Sequence, residues 1–596
     1  MVYTTVRWES CIYGDAGICW KSWKNKAKQE RIPWRAERFL KIEKGNKGNG
    51  ARKSEKEDCV RQSKGDKGLE LSLKSIQNKE NWKGYHLPEY DPVKIAENTA
   101  ERPQWMHFGS GNIFRIFPAV ICQRLIEQGE MDTGIVCCEG YDDEIITKCF
   151  RPYDNLTIGV TLNPDGKLDK EIVASMADSL TMLHDREQVE GVMKEPSLQM
   201  VSFTITEKGY SLRNADHELV PAVAADMEAG PKDCKTFMAQ LTAMCIERGR
   251  ACKKPLSLVS MDNCSHNGEK LQAAVMEIAK AWLDKGKISQ DDYEYLEKQI
   301  AFPWSMIDKI TPRPHPVVEE QLLADGVEGI SPFVTSKHTY VAPFVNAEKP
   351  QYLVIEDQFP NGRPPLEHAG VIITSRDIVN KVEKMKVCTC LNPLHTCLAV
   401  YGCILGYTSI AEEMKDPQLS RFIDRMSHEE GMPFVVDPGV IDPKKFLDEV
   451  LKERFPNPFM PDTPQRIATD TSQKLSIRFG ETIKAYMASK DREASELKLI
   501  PLVQAGWLRY LIGVNDAGEA FEISPDPLLP AMKERLAGME LGKPVDREQL
   551  RPVLSDTTIF GVDLYECGLA DKVIGYFEEM MAEPGAVRKT LEKYVG

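Results

Sequence analysis

No two cysteines in this chain stand at CxxC spacing, although there are sixteen of them in 596 residues. That removes the usual signature of a zinc ribbon or a thioredoxin-like redox pair. Cys137 and Cys138 lie in an apolar strand-like run, and Cys388, Cys390, Cys397 and Cys403 in an apolar helical one. They read as small buried hydrophobes in a reducing compartment. No run of about 18 apolar residues is evident, so no membrane span is expected. The early residues Arg7, Glu9 and Asp15 interrupt any signal-peptide-like stretch. No internal repeat is present. A net charge of -14 argues against nucleic acid as the main partner. What remains is a cytoplasmic, globular protein with 42% hydrophobic and 28% charged residues and a length sufficient for two domains.

Charge is unevenly spread. The first 68 residues carry seventeen Lys and Arg against nine Asp and Glu, and the stretch from Lys41 onward lacks periodicity. Residues 1–85 are therefore expected to be a basic, disordered extension. An arm that touches RNA or membrane is the functional alternative. From about residue 90 to 375, short apolar runs alternate with amphipathic helices: Trp105–Phe108, Gly134–Cys138, Leu198–Thr206 and Leu256–Met261 are strand candidates, with a helix over Ile113–Glu127. Such alternation predicts an α/β, Rossmann-like domain with a mostly parallel sheet. Residues 376–596 read as a mainly α-helical second domain, with helical patterns around Phe422–Met426, Phe446–Phe455 and Ala485–Met487.

Gly109-Ser110-Gly111-Asn112-Ile113-Phe114-Arg115 follows the first strand candidate and opens a helix. Glycines there let the backbone approach a pyrophosphate seated at the helix N-terminus. The third glycine of the usual dinucleotide fingerprint is missing. Glu139, 28 residues beyond Gly111, stands at the end of the second strand. Its carboxylate suits a ribose 2′-hydroxyl and repels a 2′-phosphate, which favours NAD over NADP; a solvated strand-end charge is the alternative.

In Met385-Lys386-Val387-Cys388-Thr389-Cys390-Leu391-Asn392-Pro393-Leu394-His395 an amine, a carboxamide and an imidazole fall within one apolar segment. Polar groups on a buried face point to a site. Further motifs lie between the two: Thr204–Tyr210 (TITEKGY), Ser260–Asn263 (SMDN) with Asn267-Gly268, Phe302–Pro312 (FPWSMIDKITP) and Val354–Phe359 (VIEDQF). In this order, over roughly residues 100–590, they resemble the mannitol dehydrogenase family of long-chain polyol-specific dehydrogenases. That family includes hexuronate reductases acting on fructuronate and tagaturonate. The family's glycine turn ends in an aromatic residue, His and Arg; here Ile113-Phe114-Arg115 keeps the arginine and replaces the histidine.

The resemblance implies an NAD-dependent, metal-free interconversion of a polyol or sugar acid with its 2-keto sugar, of the mannitol/fructose or mannonate/fructuronate type. Lys386 is the implied general base, made competent if burial disfavours its ammonium form. Asn263 and Asn392 are implied oxyanion donors, and His395 orients a substrate hydroxyl. Asp308, Arg466 and Lys474 are implied substrate contacts, with Arg478 a further positive charge nearby. Asp262 and His266 superficially resemble a metal pair. The family motif places the lysine five residues before the asparagine, whereas Lys386 precedes Asn392 by six. One extra residue turns a helical side chain by about 100°. A π-bulge within Val387–Leu391 would restore the facing, and Lys384 is the fallback base. The partner is a small molecule rather than nucleic acid or membrane, and the protein a monomer or small homo-oligomer. A catalytically silent NAD-binding regulator or scaffold of the same fold is the alternative.

Overall fold

Parallel strands dominate the first half of the chain, in a computed structural model that describes residues 68–214 and 216–596. Six strands form its main sheet: β1 (Trp105–Phe108), β2 (Ile135–Glu139), β3 (Met176–Thr181), β4 (Met200–Phe203), β5 (Leu256–Ser260) and β6 (Ile300–Ala301). Their spatial order is β6-β5-β4-β1-β2-β3, and every neighbouring pair is parallel. This is the doubly wound order, whose reversal between β1 and β4 opens a crevice at the carboxyl ends of the strands. The strands are buried on both faces. Met106, Phe108, Val136, Val201 and Phe203 contribute to one core cluster, and Trp105, Ile135, Cys137, Met200 and Val259 to the other. Strands covered on both sides need near-continuous apolar runs, which explains why they were legible.

The helix expected over Ile113–Glu127 is two helices, Asn112–Ile116 and Pro118–Glu127. Pro118 has no N–H to continue the first, so the chain bends at Phe117, whose φ and ψ are -125° and -73°. Two smaller sheets flank the main one: Ser305–Asp308, Tyr352–Glu356 and Ile372–Thr374 in one, and Phe344–Glu348, Thr157–Leu162, Leu168–Val173 and Tyr85–His86 in the other. Asp308 ends a strand of the first and Glu348 a strand of the second.

The extension expected to run to residue 85 is corrected over its last part. Leu69–Glu70 pairs in parallel with Val327–Glu328, and Leu71, Ile76 and Trp82 are buried in an apolar cluster. These apolar residues close the outer sheet, a long-range use that composition does not reveal. Residues 1–67 lie outside the described residues.

The strand Ile372–Thr374 is followed directly by the helix Arg376–Met385, and all later named elements are helical. The helical run Arg376–Leu405 is long and apolar enough to cross a membrane by length and composition, but 78% of that window is buried inside the protein. It is the central helix of a large apolar core that gathers Leu394, Leu398, Tyr401, Phe422, Leu502 and Trp507. The cysteines of the described residues are all free.

Candidate active site

The glycine turn lies where the sheet order reverses. Gly109 has φ +106°, and a Cβ there would stand 2.3 Å from the Thr204 carbonyl oxygen at the end of β4. Gly111 caps the helix Asn112–Ile116, and the space a Cβ would fill is open. The result is a cradle between β1 and β4 in which backbone can meet a pyrophosphate, as a dinucleotide requires. Gly109→Ala is expected to weaken NADH binding by at least tenfold, because the φ and the contact with Thr204 both oppose a side chain; titration of NADH fluorescence checks it.

Glu139 stands at the end of β2, where it was expected, and its carboxylate is engaged by the protein. One carboxylate oxygen accepts from the Ser110 amide at 2.8 Å and its hydroxyl at 2.5 Å, the other from the amides of Tyr141 (2.8 Å) and Asp142 (3.2 Å). About four acceptor positions exist on a carboxylate, and all are used. Glu139 thus pins the glycine turn to the end of β2. Arg115 is likewise fully buried. It donates to the Ala342 carbonyl at 2.8 Å and to Asn112 Oδ1 at 2.9 Å, bracing the turn from within. Asn112 and Ile113 are half-buried at the turn itself, and Asn112 Nδ2 donates to the Pro312 carbonyl at 3.2 Å.

The extra residue before Asn392 is accommodated by a π turn over Lys386–Cys390, in which the Leu391 N–H donates to the Lys386 carbonyl at 3.1 Å. Pro393 lies in the first turn of the helix that follows, Asn392–Leu405, where its missing N–H costs nothing. Lys386, Asn392 and Asn263 then line both of two adjoining cavities, of about 460 Å³ and 440 Å³. Volumes of this size are ordinary for small-molecule sites. Asn263 comes from the loop just beyond β5, where Asp262 ties the chain down. Its carboxylate accepts from the amides of Ile205 (3.0 Å) and Thr206 (2.9 Å) and from the Tyr210 hydroxyl (2.5 Å). Asp262 is therefore a backbone anchor, and His266 instead stacks on Trp304 with ring centroids 4.3 Å apart. Among the described residues no group of three or more His, Cys, Asp and Glu is arranged to hold a metal ion.

Lys386 is buried. Its Nζ lies 3.2 Å from Asn263 Oδ1, 3.3 Å from the Ile307 carbonyl and 2.9 Å from Asp308 Oδ1. Asn263 thus gives its oxygen to the lysine and keeps its amide N–H groups for the cavity. Asp308, expected at the substrate, lines the larger cavity and also bridges two basic side chains. Its second oxygen accepts from Arg454 Nη1 at 2.5 Å, and Arg454 also holds Glu348 at 2.7 Å. Burial opposes ionisation of Asp308, but Arg454 and Lys386 outweigh it and hold the carboxyl well below its usual range. Burial raises the Glu348 carboxyl, only partly offset by Arg454.

His395 lines the larger cavity with Nε2 buried and unpartnered, 3.6 Å from Asp462 Oδ2. Burial, reinforced by Arg478 and other nearby cations, pushes its pKa down to about 3, so the imidazole is neutral at physiological pH. Arg466, Lys474 and Arg478 line the same cavity. Arg466 is exposed and pairs with Asp462, while Lys474 donates to the Thr469 carbonyl. The expected catalytic and substrate residues are thus brought together around one cavity, with the glycine turn and Glu139 on the cofactor crevice.

Sequence reasoning missed Arg454 and Asp462. Asp462 stands four residues before Arg466, a spacing that signals a helical ion pair. Arg454, inside Lys452-Glu453-Arg454, carried no local signal of burial.

Comparison with known proteins places this geometry. The family model of the mannitol dehydrogenase Rossmann domain matches residues 103–368, and that of the mannitol dehydrogenase C-terminal domain residues 378–581. The D-mannonate oxidoreductase of Thermotoga maritima is 49% identical over 536 residues, covering 89% of this chain and 99% of that protein. A D-sorbitol dehydrogenase crystal structure in substrate-free form superposes with a TM-score of 0.71 at 26% identity, covering 85% of this chain and 97% of that one. The Pseudomonas fluorescens mannitol 2-dehydrogenase, solved with NAD and D-mannitol, shares the fold with a TM-score of 0.64 at 23% identity, covering 88% and 99%.

Proposed function

The chain belongs to the mannitol dehydrogenase family, and on that premise we propose that it is an NAD-dependent oxidoreductase that interconverts the secondary alcohol of a polyol or sugar acid with its 2-keto sugar. The observation that carries the reading is the convergence of Lys386, Asn263, Asn392 and His395 on one cavity across the π turn. Similarity to a D-mannonate oxidoreductase over nearly its whole length supports a sugar-acid substrate. Residues 90–375 serve as the cofactor-binding half and 376–596 as the substrate-binding half. The buried free thiols suit a reducing cytoplasm.

In this scheme the backbone from Gly111 to Ile113, where the helix starts, would receive the pyrophosphate, while Gly109 and Ser110 shape the turn with their amides held by the Cys138 carbonyl and Glu139. Bound NAD supplies the acceptor for the hydride that leaves the carbinol carbon. Lys386 Nζ takes the hydroxyl proton as the bond to oxygen gains charge. The amides of Asn263 and Asn392 donate to the developing alkoxide; Asn263 is pre-oriented because its oxygen is held by the lysine. His395, neutral and with a free ring nitrogen, bonds a neighbouring substrate hydroxyl and fixes which carbon faces the cofactor. Arg466 and Lys474 hold the far end of the substrate. Amine and amides together cover proton removal and oxyanion stabilisation, so the scheme calls for no metal.

The test is NADH formation from NAD by purified protein offered D-mannonate, D-altronate, D-mannitol, D-sorbitol and D-arabinitol in parallel. Turnover of a hexonate or polyol at ordinary enzymatic rates is expected. Measurable NADH binding with no turnover of any of the five would defeat the proposal.

A further inference from the structure

The basic side chains around the larger cavity are not equally satisfied. Lys386 and Arg454 share Asp308, Arg454 also holds Glu348, and Arg466 is paired with Asp462. Arg478 stands apart. It lines both cavities, donates through Nη1 to the Thr396 hydroxyl, and among the described residues has no carboxylate within ion-pair distance. Burial pushes its pKa down to about 10, which still leaves the guanidinium charged at neutral pH. Arg478 is half-buried, and a charge partly withdrawn from water and left unpaired is costly to keep.

Its surroundings sharpen the point. Lys474 lines the same two cavities and bonds the Thr469 carbonyl. Burial and the neighbouring Arg478 both lower its pKa, so each of the two cations raises the cost of the other. Of the carboxylates that line the larger cavity, Asp308 is consumed by Lys386 and Arg454, and Asp462 by Arg466. Beside the proton-accepting lysine the cavity therefore presents positive charge awaiting an anion. A planar guanidinium with free N–H groups matches a carboxylate in two-point contact, whereas a neutral terminal CH2OH leaves the charge unanswered.

We propose that Arg478 is the carboxylate receptor of the substrate cavity, and that it makes the site select a hexonate over a neutral polyol. The proposal rests on the oxidoreductase reading above and adds the residue that sets its substrate class. A hydrogen bond to a charged group contributes about 1.5–3 kcal/mol, equivalent to about 10- to 100-fold. Steady-state kcat/KM should be measured on full-length wild type, Arg478→Gln and Arg478→Lys with D-mannonate, D-mannitol and D-mannitol 1-phosphate, with NADH binding as the check on folding. Wild type is expected to prefer D-mannonate. Arg478→Gln should lose about 10- to 100-fold more on D-mannonate than on D-mannitol, and Arg478→Lys should recover part of that difference. Parallel losses on both substrates, wild-type preference for the polyol, or preference for the phosphate ester would each overturn the receptor role. Calorimetric binding of D-mannonate separates the two failures. Binding that depends on Arg478 without turnover of any substrate sinks the oxidoreductase reading alone, and binding indifferent to Arg478→Gln sinks the receptor.

Discussion

Lys386→Ala is expected to lower kcat by about 10²- to 10⁴-fold, the range that a positioned general base contributes, while NADH binding stays within about twofold of wild type. The lysine is buried at the meeting of two cavities, and its three polar neighbours are Asn263, the Ile307 carbonyl and Asp308. Lys474 also lines both cavities, but it is only half-buried and donates to the Thr469 carbonyl. Lys384, two residues before Lys386, is exposed, and Lys309 is turned toward the Glu348 carbonyl at 2.8 Å and Gln351 Oε1 at 3.0 Å. The loss should fall on kcat more than on KM, because the amine acts on the proton that moves only as the bond changes. Truncation leaves a void where the amine stood, so added methylamine should restore part of the rate, with a dependence on the concentration of its neutral form. Activity within tenfold of wild type, or a loss expressed only in KM, would remove Lys386 from the role and turn attention to Lys384.

The π turn shows how far the sequence carried that assignment and where it stopped. The mismatch between six residues and the family's five was enough to locate the irregularity in Val387–Leu391, and the turn spans Lys386–Cys390. The glycine turn and four strands of the main sheet were legible for the same reason: local patterns decide them. Runs buried on both faces must be apolar throughout, and a backbone that bends at φ +106° against Thr204 needs glycine. β3 and β6 were not singled out. Met176–Thr181 contains Asp178 and Ser179, which dilute its apolar signal, and Ile300–Ala301 is only two residues long.

Charged residues were harder, because a carboxylate at a strand end looks the same whether it meets ligand or protein. Glu139 was placed correctly beside the glycine turn, but its partners are amides from two loops that close on it only in the folded state. Asp308 belongs to a recognisable motif, yet its partner Arg454 is 146 residues away. A segment such as Lys452-Glu453-Arg454 reads as a solvated helix face. Only packing reveals that Lys452 stays outside, bound to Asp448, while Arg454 turns inward on a second π turn, Val450–Arg454.

That inward turn sets the other large expected effect. Arg454→Met is expected to destabilise the protein by about 3–5 kcal/mol, the usual result of removing one partner from a buried ion pair. Methionine fills much of the volume, so the loss reports charge rather than a cavity. Two buried carboxylates, Asp308 and Glu348, would lose the guanidinium that spans them at 2.5 Å and 2.7 Å. Activity should fall as well, since Asp308 would be left with Lys386 alone and would draw the catalytic amine toward itself. The pH dependence gives the sign. In wild type the Asp308 carboxyl is held below its ordinary value, so its pairing contributes stability above about pH 4 and loses it as the pH falls. In the variant burial acts with less opposition and raises both carboxyls, so lowering the pH protonates them and relieves the penalty. The gap in melting temperature between wild type and Arg454→Met should therefore be widest near pH 8 and shrink toward pH 5. Arg454→Lys, which keeps one charge but not the fork that reaches both acids, should fall between them. A pH-independent gap would mean that Arg454 acts through packing, and an Arg454→Met variant with wild-type activity would show that Lys386 needs no help from the bridge to hold its place.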